Sequence, residues 1–450
     1  MLRSWSRAMS SIIPETPDAE QRMLRLIEEL YPICRSITGE GVRQTLSIVS
    51  RELPLRIHEV STGTPVFDWT VPKEWNVRDA WVKRARGEKV VDFRQSNLHV
   101  LGYSSPIHRI VSRDELLAHL HSVPEHPRWI PYRNSFYREN WGFCVAHDQL
   151  SEFDDPEYEV FVDSTLSDGS LTYGEFEVVG SVPDEILIWT HVCHPSLCND
   201  NLSGIAVASQ LAQAIAQASP HHSFRFVFAP ATIGAITWLA MNESRVRRIV
   251  AGLVLACVGD AGHPNYMRSR RGNARVDRAA EYALREVGQK FEVLPFSPYG
   301  YDQRQFCSPG FDLPVGCFMR TPNGAYPQYH TSGDNLDIID GPSLLSSLAI
   351  VRRILGILEA DRFYINQNPK CEPQLGKRGI YAAIGGRQRE GHDEMALLWV
   401  LNLSDSRHSL LDIAERSGIP FAAIARAAGV LLECGLLLPT SEAGSEGRST

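Results

Sequence analysis

The sequence predicts an α/β protein: a mostly parallel sheet with helices on both faces, interrupted by a β-rich insertion and followed by a C-terminal winged helix. Three observations carry that expectation. From "DEILIWTHVC" onward, short apolar runs alternate with stretches whose apolar residues recur every three or four positions. Such alternation sets parallel strands side by side with helices above and below them. Between residues 57 and 158 this rhythm gives way to frequent Trp, Tyr and Pro. After the linker "INQNPKCEPQLGKRG" come three short helical patterns and a final apolar run.

The elements follow in order. "DAEQRMLRLIEELYPI" and "GEGVRQTLSIVSREL" have helical apolar spacing and open the core within residues 1–56. In the insertion, 57–158, only "SRDELLAHLHSV" reads as a helix. The core resumes at 159 and runs to 365. There "DEILIWTHVC", "HSFRFVFA", "RIVAGLVLACVGD", "FEVLPF" and "LPVGCFM" read as strands. The helices between and after them are "LSGIAVASQLAQAIAQ", "IGAITWLAMNE", "RAAEYALREVG" and a long one near "SLLSSLAIVRRILGILEA". Residues 370–440 make the winged helix, and the polar residues 441–450 a disordered tail.

A chain of 450 residues exceeds one ordinary core. With 43% hydrophobic and 22% charged residues it has the balance of a folded globular protein. The net charge of −8 disfavours broad attraction to nucleic acid or anionic membrane. "MLRSWSRAMSSIIPETPD" lacks an apolar run of secretory length, and nothing later reaches a membrane-spanning length, so a cytoplasmic location is expected. Nine cysteines, an odd number without paired spacing, fit reduced thiols better than a disulfide framework.

The segment "THVCHPSLCNDNLSG" crowds two histidines, two cysteines and an aspartate behind an apolar strand. Open α/β sheets place their chemistry at this carboxyl edge. His191, Asp200, Asp260 in "CVGD" and His330 in "YHTSGDN" all fall at strand ends or in the loops that follow. Imidazole and carboxylate together suit zinc. Taken singly, each such residue is ordinarily a cap or a satisfied polar group. Their shared placement is the signal.

That pattern resembles the zinc aminopeptidases of clan MH. An Asp three residues before "SG" bridges two metals there, and the first His, a later strand-end Asp and a final His complete the ligands. A closer likeness is to bacterial aminopeptidase-like proteins found among polysaccharide and natural-product biosynthesis genes. "YPICRSITGEGVRQTL", "THVCHPSLCNDNLSG", "RQFCSPGFDLPVG" and "YHTSGDN" carry it over nearly the whole chain. The resemblance implies a zinc-exopeptidase-like core, an inserted β-rich domain, a winged helix, and hydrolysis of an amide in a peptide-like or N-acylated substrate. It implies zinc held by His191, Asp200, Asp260 and His330, as one ion or two.

The chain departs from that family in "FAPATIGAI", where Ala231 occupies the position of the general base and Thr232 that of the second metal's carboxylate. Alanine cannot move a proton, and losing a positioned acid–base group costs about 10² to 10⁴ in rate. Ala231 is either an engineered Glu-to-Ala replacement or the mark of a member that lost hydrolysis. In the second case the protein is a noncatalytic, metal-containing ligand binder. With Thr232 in place of a carboxylate, one zinc on His191, Asp200 and His330 becomes as consistent as two, and Asp260 either joins them or supports them.

Further candidates line up around this centre. His194 either lines the pocket or joins His191, Cys193 and Cys198 in a structural zinc site, although the cysteine spacing suits that poorly. Asp302 and Arg304 lie in "YGYDQRQFCSPG", a loop of substrate-binding character: a carboxylate there would hold an α-amine, whereas Arg304 would hold a carboxylate. Gln303 stands where the resembled group carries an acid. Arg133, Tyr137 and Trp141 cluster in the insertion, either as its core or as a cover for the cleft. The expected recognition helix offers a single Arg426 among alanines, which favours docking or homo-oligomerisation over DNA reading.

Overall fold

The computed structural model describes residue 14 and residues 17–380 and 394–440. The expected tail at 441–450 and nearly all of the leading segment lie outside the described residues. The main sheet has eight strands: β1 Arg56–Ser61, β2 Ser170–Val178, β3 Glu185–His191, β4 Ser223–Ala229, β5 Ile249–Leu255, β6 Asn265–Met267, β7 Glu292–Leu294 and β8 Val315–Met319. Their spatial order is β1-β2-β4-β3-β5-β8-β6-β7. The central strands β4, β3, β5 and β8 are mutually parallel, whereas β1 and β2 run antiparallel at one side and β6 antiparallel to β8 at the other.

β3, "EILIWTH", and β4, "SFRFVFA", are buried at every position. A strand covered on both faces reads as a continuous apolar run, which is why these segments are so legible. Alternate residues divide between two cores. Ile186, Ile188 and Phe226 pack with α1 Ala19–Leu30, α2 Glu40–Ser50, α3 Ser203–Ala216, α5 Arg275–Val287 and α6 Gly341–Ala360. Leu187, Trp189 and Val227 pack with α4 Ile233–Met241 and the insertion. Local signals set the helix ends. Asp340 caps α6 by accepting from Ser343 N at 2.9 Å, and Gly288 ends α5 in the left-handed region, φ 71°.

The chain leaves the main sheet after Ser61 and re-enters it at Ser170. Between those points lies an antiparallel four-stranded sheet in the order Lys89–Asp92, Glu74–Arg84, Glu157–Ser167, Ile107–Ser112. The helix expected at "SRDELLAHLHSV" closes after Ala118. β6, only three residues long, left no periodic trace in the sequence.

The C-terminal module contains α7 Glu394–Leu403, α8 Leu410–Ser417 and α9 Phe421–Glu433 against a three-stranded sheet. One of those strands, Phe363–Asn366, takes up the start of the segment read as linker. Arg278 of α5 pairs with Asp412 at 2.7 Å and Glu415 at 2.5 Å, and the Phe421 N–H donates to Tyr282 Oη. The described cysteines are all free. Among the described residues no helix is long and apolar enough to cross a membrane.

Candidate active site

The site forms where β3 ends. His191 is its last residue, and the chain then loops through residues 192–202 before entering α3. Two asparagines sew this loop to the exit of β5. Asn201 Nδ2 donates to Thr190 Oγ1 and the Leu255 carbonyl, and its Oδ1 accepts from Cys257 N. Asn199 Oδ1 accepts from Gly259 N, and its Nδ2 donates to Asp260 Oδ2. The Asp334 carboxylate accepts from the N–H groups of Asn199 and Asp200, at 2.6 and 3.0 Å. The small residue of "LSG" has a reason too: a Cβ on Gly204 would lie 2.6 Å from the Leu255 carbonyl oxygen.

Held this way, the fully buried Asp200 carboxylate receives three imidazoles. His191 Nε2 lies 2.8 Å from Oδ1; His330 Nε2 and His194 Nδ1 lie 3.0 and 3.2 Å from Oδ2. Burial pushes the Asp200 carboxyl up, but the His194 charge and the hydrogen bonds from the three histidines outweigh it and hold the group well below the usual carboxylate range. Burial pushes His194 down, and the facing Asp200 carboxylate overrides it and raises it well above an ordinary imidazole. At His330 burial prevails and the ring is shifted down.

The structure therefore brings His191, Asp200 and His330 together and adds His194, whose ligand atom lies within 4.8 Å of those of His191 and Asp200. Asp260 stands apart. Its oxygens accept from Asn199 Nδ2, Gly262 N and both the N–H and hydroxyl of Thr321. That carboxylate has its partners already and braces the loop beneath the cluster. Neither Cys193 nor Cys198 belongs to the group. An imidazole-rich set around one carboxylate, deeply placed and pre-oriented, fits zinc in donor type and number. The wall at Ala231 and Thr232 offers no carboxylate for a second ion.

A pocket of about 380 Å³ opens onto the cluster, lined by His191, His194, His330, Ala231, Thr232 and Asp302. The insertion supplies its outer wall through Trp69, Tyr132, Asn134, Phe136 and Tyr137. Arg133 is exposed, is not among the residues lining the pocket and donates to the Tyr132 carbonyl; Trp141 stacks on His119 instead. Asp302 is 1% exposed, accepts from Trp189 Nε1 at 2.8 Å, and is raised by burial. Arg304 Nη2 donates to Thr232 Oγ1 at 3.4 Å. Gln303 is buried, with its amide on Met267 Sδ. Tyr132 is one of many aromatics in the insertion and no local pattern marks it, while Asp334 is marked only by its place four residues after His330.

Comparison with known proteins agrees with this architecture. A family model described as "Domain of unknown function (DUF4910)" matches residues 24–361, and a winged helix-turn-helix model matches 362–439. A Clostridium acetobutylicum protein described as a polysaccharide biosynthesis protein with aminopeptidase-like domain is 49% identical over 429 residues, spanning 95% of this chain and 99% of its own.

The chain belongs to this aminopeptidase-like family.

The crystal structure of a C. acetobutylicum protein described as a peptidase superposes with a TM-score of 0.88 at 47% identity, covering 98% of this chain and 99% of that one. A zinc aminopeptidase from Bacillus subtilis shares the fold, with a TM-score of 0.56 at 14% identity over 76% of this chain and 95% of its own. The aminopeptidase-like chain thus has the fold of that enzyme, and the winged helix follows it at residues 362–439.

Proposed function

We propose that the protein is a zinc-binding member of the amide hydrolase lineage whose own turnover is severely reduced by Ala231. The observation that supports this reading is the convergence of His191, His194 and His330 on one buried carboxylate, beside a pocket wall that bears a methyl group at position 231. His191, His330 and Asp200 would hold one zinc, with His194 beside them. When bound, zinc supplies Lewis-acid polarisation of a carbonyl and lowers the pKa of water toward neutrality.

The chain's own residues divide the remaining work. The Asp334 carboxylate and the asparagine pair hold Asp200 in place, and the aromatic wall of the insertion excludes water and orients the acyl group. No side chain at position 231 can take the proton from water and return it to the leaving amine. The substrate class is an amide of peptide-like or N-acylated character.

A second reading is retention of the pocket for binding alone, in a polysaccharide or natural-product pathway of the kind named for the Clostridium relative. It is favoured by the lining itself, where Asp302, the other carboxylate, is already committed to Trp189. Ala231→Glu in zinc-loaded protein separates the two. Hydrolysis of aminoacyl amides or N-acyl amino sugars should rise by about 10² to 10⁴; no gain on any of them selects the binding role.

A further inference from the structure

We propose that this pocket selects an amide that also carries a free carboxylate, held by the Arg304 guanidinium, in preference to a peptide N-terminus held by its ammonium group. The assignment rests on the reading of the pocket as the substrate site.

An α-ammonium group needs an uncommitted carboxylate. Among the described residues Asp302 is the one carboxylate lining the pocket; it is 1% exposed and already accepts from Trp189 Nε1. Asp200 lies beneath, saturated by three histidines. Position 231 presents a methyl group and position 232 a hydroxyl. Nothing on the wall is poised to neutralise an incoming ammonium.

The cationic side is the reverse. Arg304 makes no ion pair among the described residues, and its Nε is buried without a hydrogen-bond partner. Its nearest polar contact is the 3.4 Å bond to Thr232 Oγ1, which places the guanidinium beside the pocket wall. The exposed Tyr299 ring lies 5.9 Å from the guanidinium carbon, just before the lining residues Gly300, Tyr301 and Asp302. A planar guanidinium with free donors matches a carboxylate through two parallel hydrogen bonds. Asp302 feels the Arg304 charge but forms no bond with it. Ile37, Ile233, Ile236 and Phe136 leave an apolar space for the body of the ligand. The chemical class that satisfies both ends is an N-acylated amino acid with an apolar side chain, its amide facing the histidines and its carboxylate on Arg304.

The test compares N-acetyl-L-phenylalanine with its primary amide by calorimetric titration of the zinc-loaded full chain. The acid should bind about tenfold tighter than the amide or better. Arg304→Gln should erase the difference, and Arg304→Lys restore part of it, both variants melting with the parent protein. Equal affinities, binding of neither probe, or a preference for the acid that survives Arg304→Gln would overturn the proposal, the last by placing the carboxylate on the metal. Because the readout is binding, an inert Ala231→Glu protein that still discriminates through Arg304 would sink the hydrolase reading and leave this one standing.

Discussion

Tyr132 of the insertion stands edge-on to His330, with ring centroids 5.3 Å apart and planes at 83°, while its N–H donates to the His330 carbonyl at 2.8 Å. The same ring meets His194 at 5.1 Å. His330 adopts φ 55°, a conformation that an unsupported histidine rarely holds. The insertion is therefore a brace for two of the site's imidazoles as well as a wall.

Removing that brace should loosen the metal site. Tyr132→Ala is expected to lower zinc affinity by about 10- to 100-fold, the usual consequence of losing a group that orients a ligand. Tyr132→Phe keeps the ring and should leave affinity unchanged. Competition against a chromophoric chelator measures both, and equal affinities for all three proteins would discard the brace.

The ligand set predicts a split between two aspartates. Asp200→Asn should abolish stoichiometric zinc, read by elemental analysis after gel filtration. Asp260→Asn should retain it and instead cost about 1–3 kcal/mol of stability, since buried donors from Asn199 and Thr321 lose a charged acceptor. Zinc lost equally from both would put Asp260 back among the ligands.

Acid sensitivity has a source far from the site. Burial pushes the Glu359 carboxyl up, but the His222 ring and the N–H groups of His221 and His222 outweigh it and hold it below its ordinary range. A carboxyl lowered on folding adds stability that is present above its unfolded pKa, about 4.3, and is lost as pH falls through the folded value. Glu359→Gln should therefore flatten the acid limb of the melting curve below about pH 4.3 and lower stability at neutrality by about 1–3 kcal/mol. An unchanged acid limb would remove Glu359 from the account.

The winged helix should not bind DNA. In α9 the residues Phe421, Ala423, Ile424, Ala425, Ala427 and Ala428 are buried, and Arg426 is the exposed cation. Helices that read the major groove bring several basic or amide side chains to it. Fluorescence anisotropy with a labelled duplex at low salt is expected to show no saturable binding. A salt-dependent isotherm would reverse this.

What the sequence determined by itself was whatever repeats along the chain. The buried strands β3 and β4 announced the parallel sheet because both faces are covered, and α1, α3, α5 and α6 announced themselves by three-and-four spacing. His191, Asp200 and His330 were visible because strand ends and "NDNLSG" are local patterns. Tertiary structure alone decided which groups meet. Asp260 lies in the loop beyond β5, which closes at Leu255, and is consumed by Asn199 and Thr321, while His194 turns back onto Asp200. Tyr132, nearly two hundred residues before His330, reaches it only because the insertion folds over the sheet edge. Periodicity encodes burial, which is a property of neighbours in sequence; coordination and ring contact depend on distances across the fold, and no local pattern carries those.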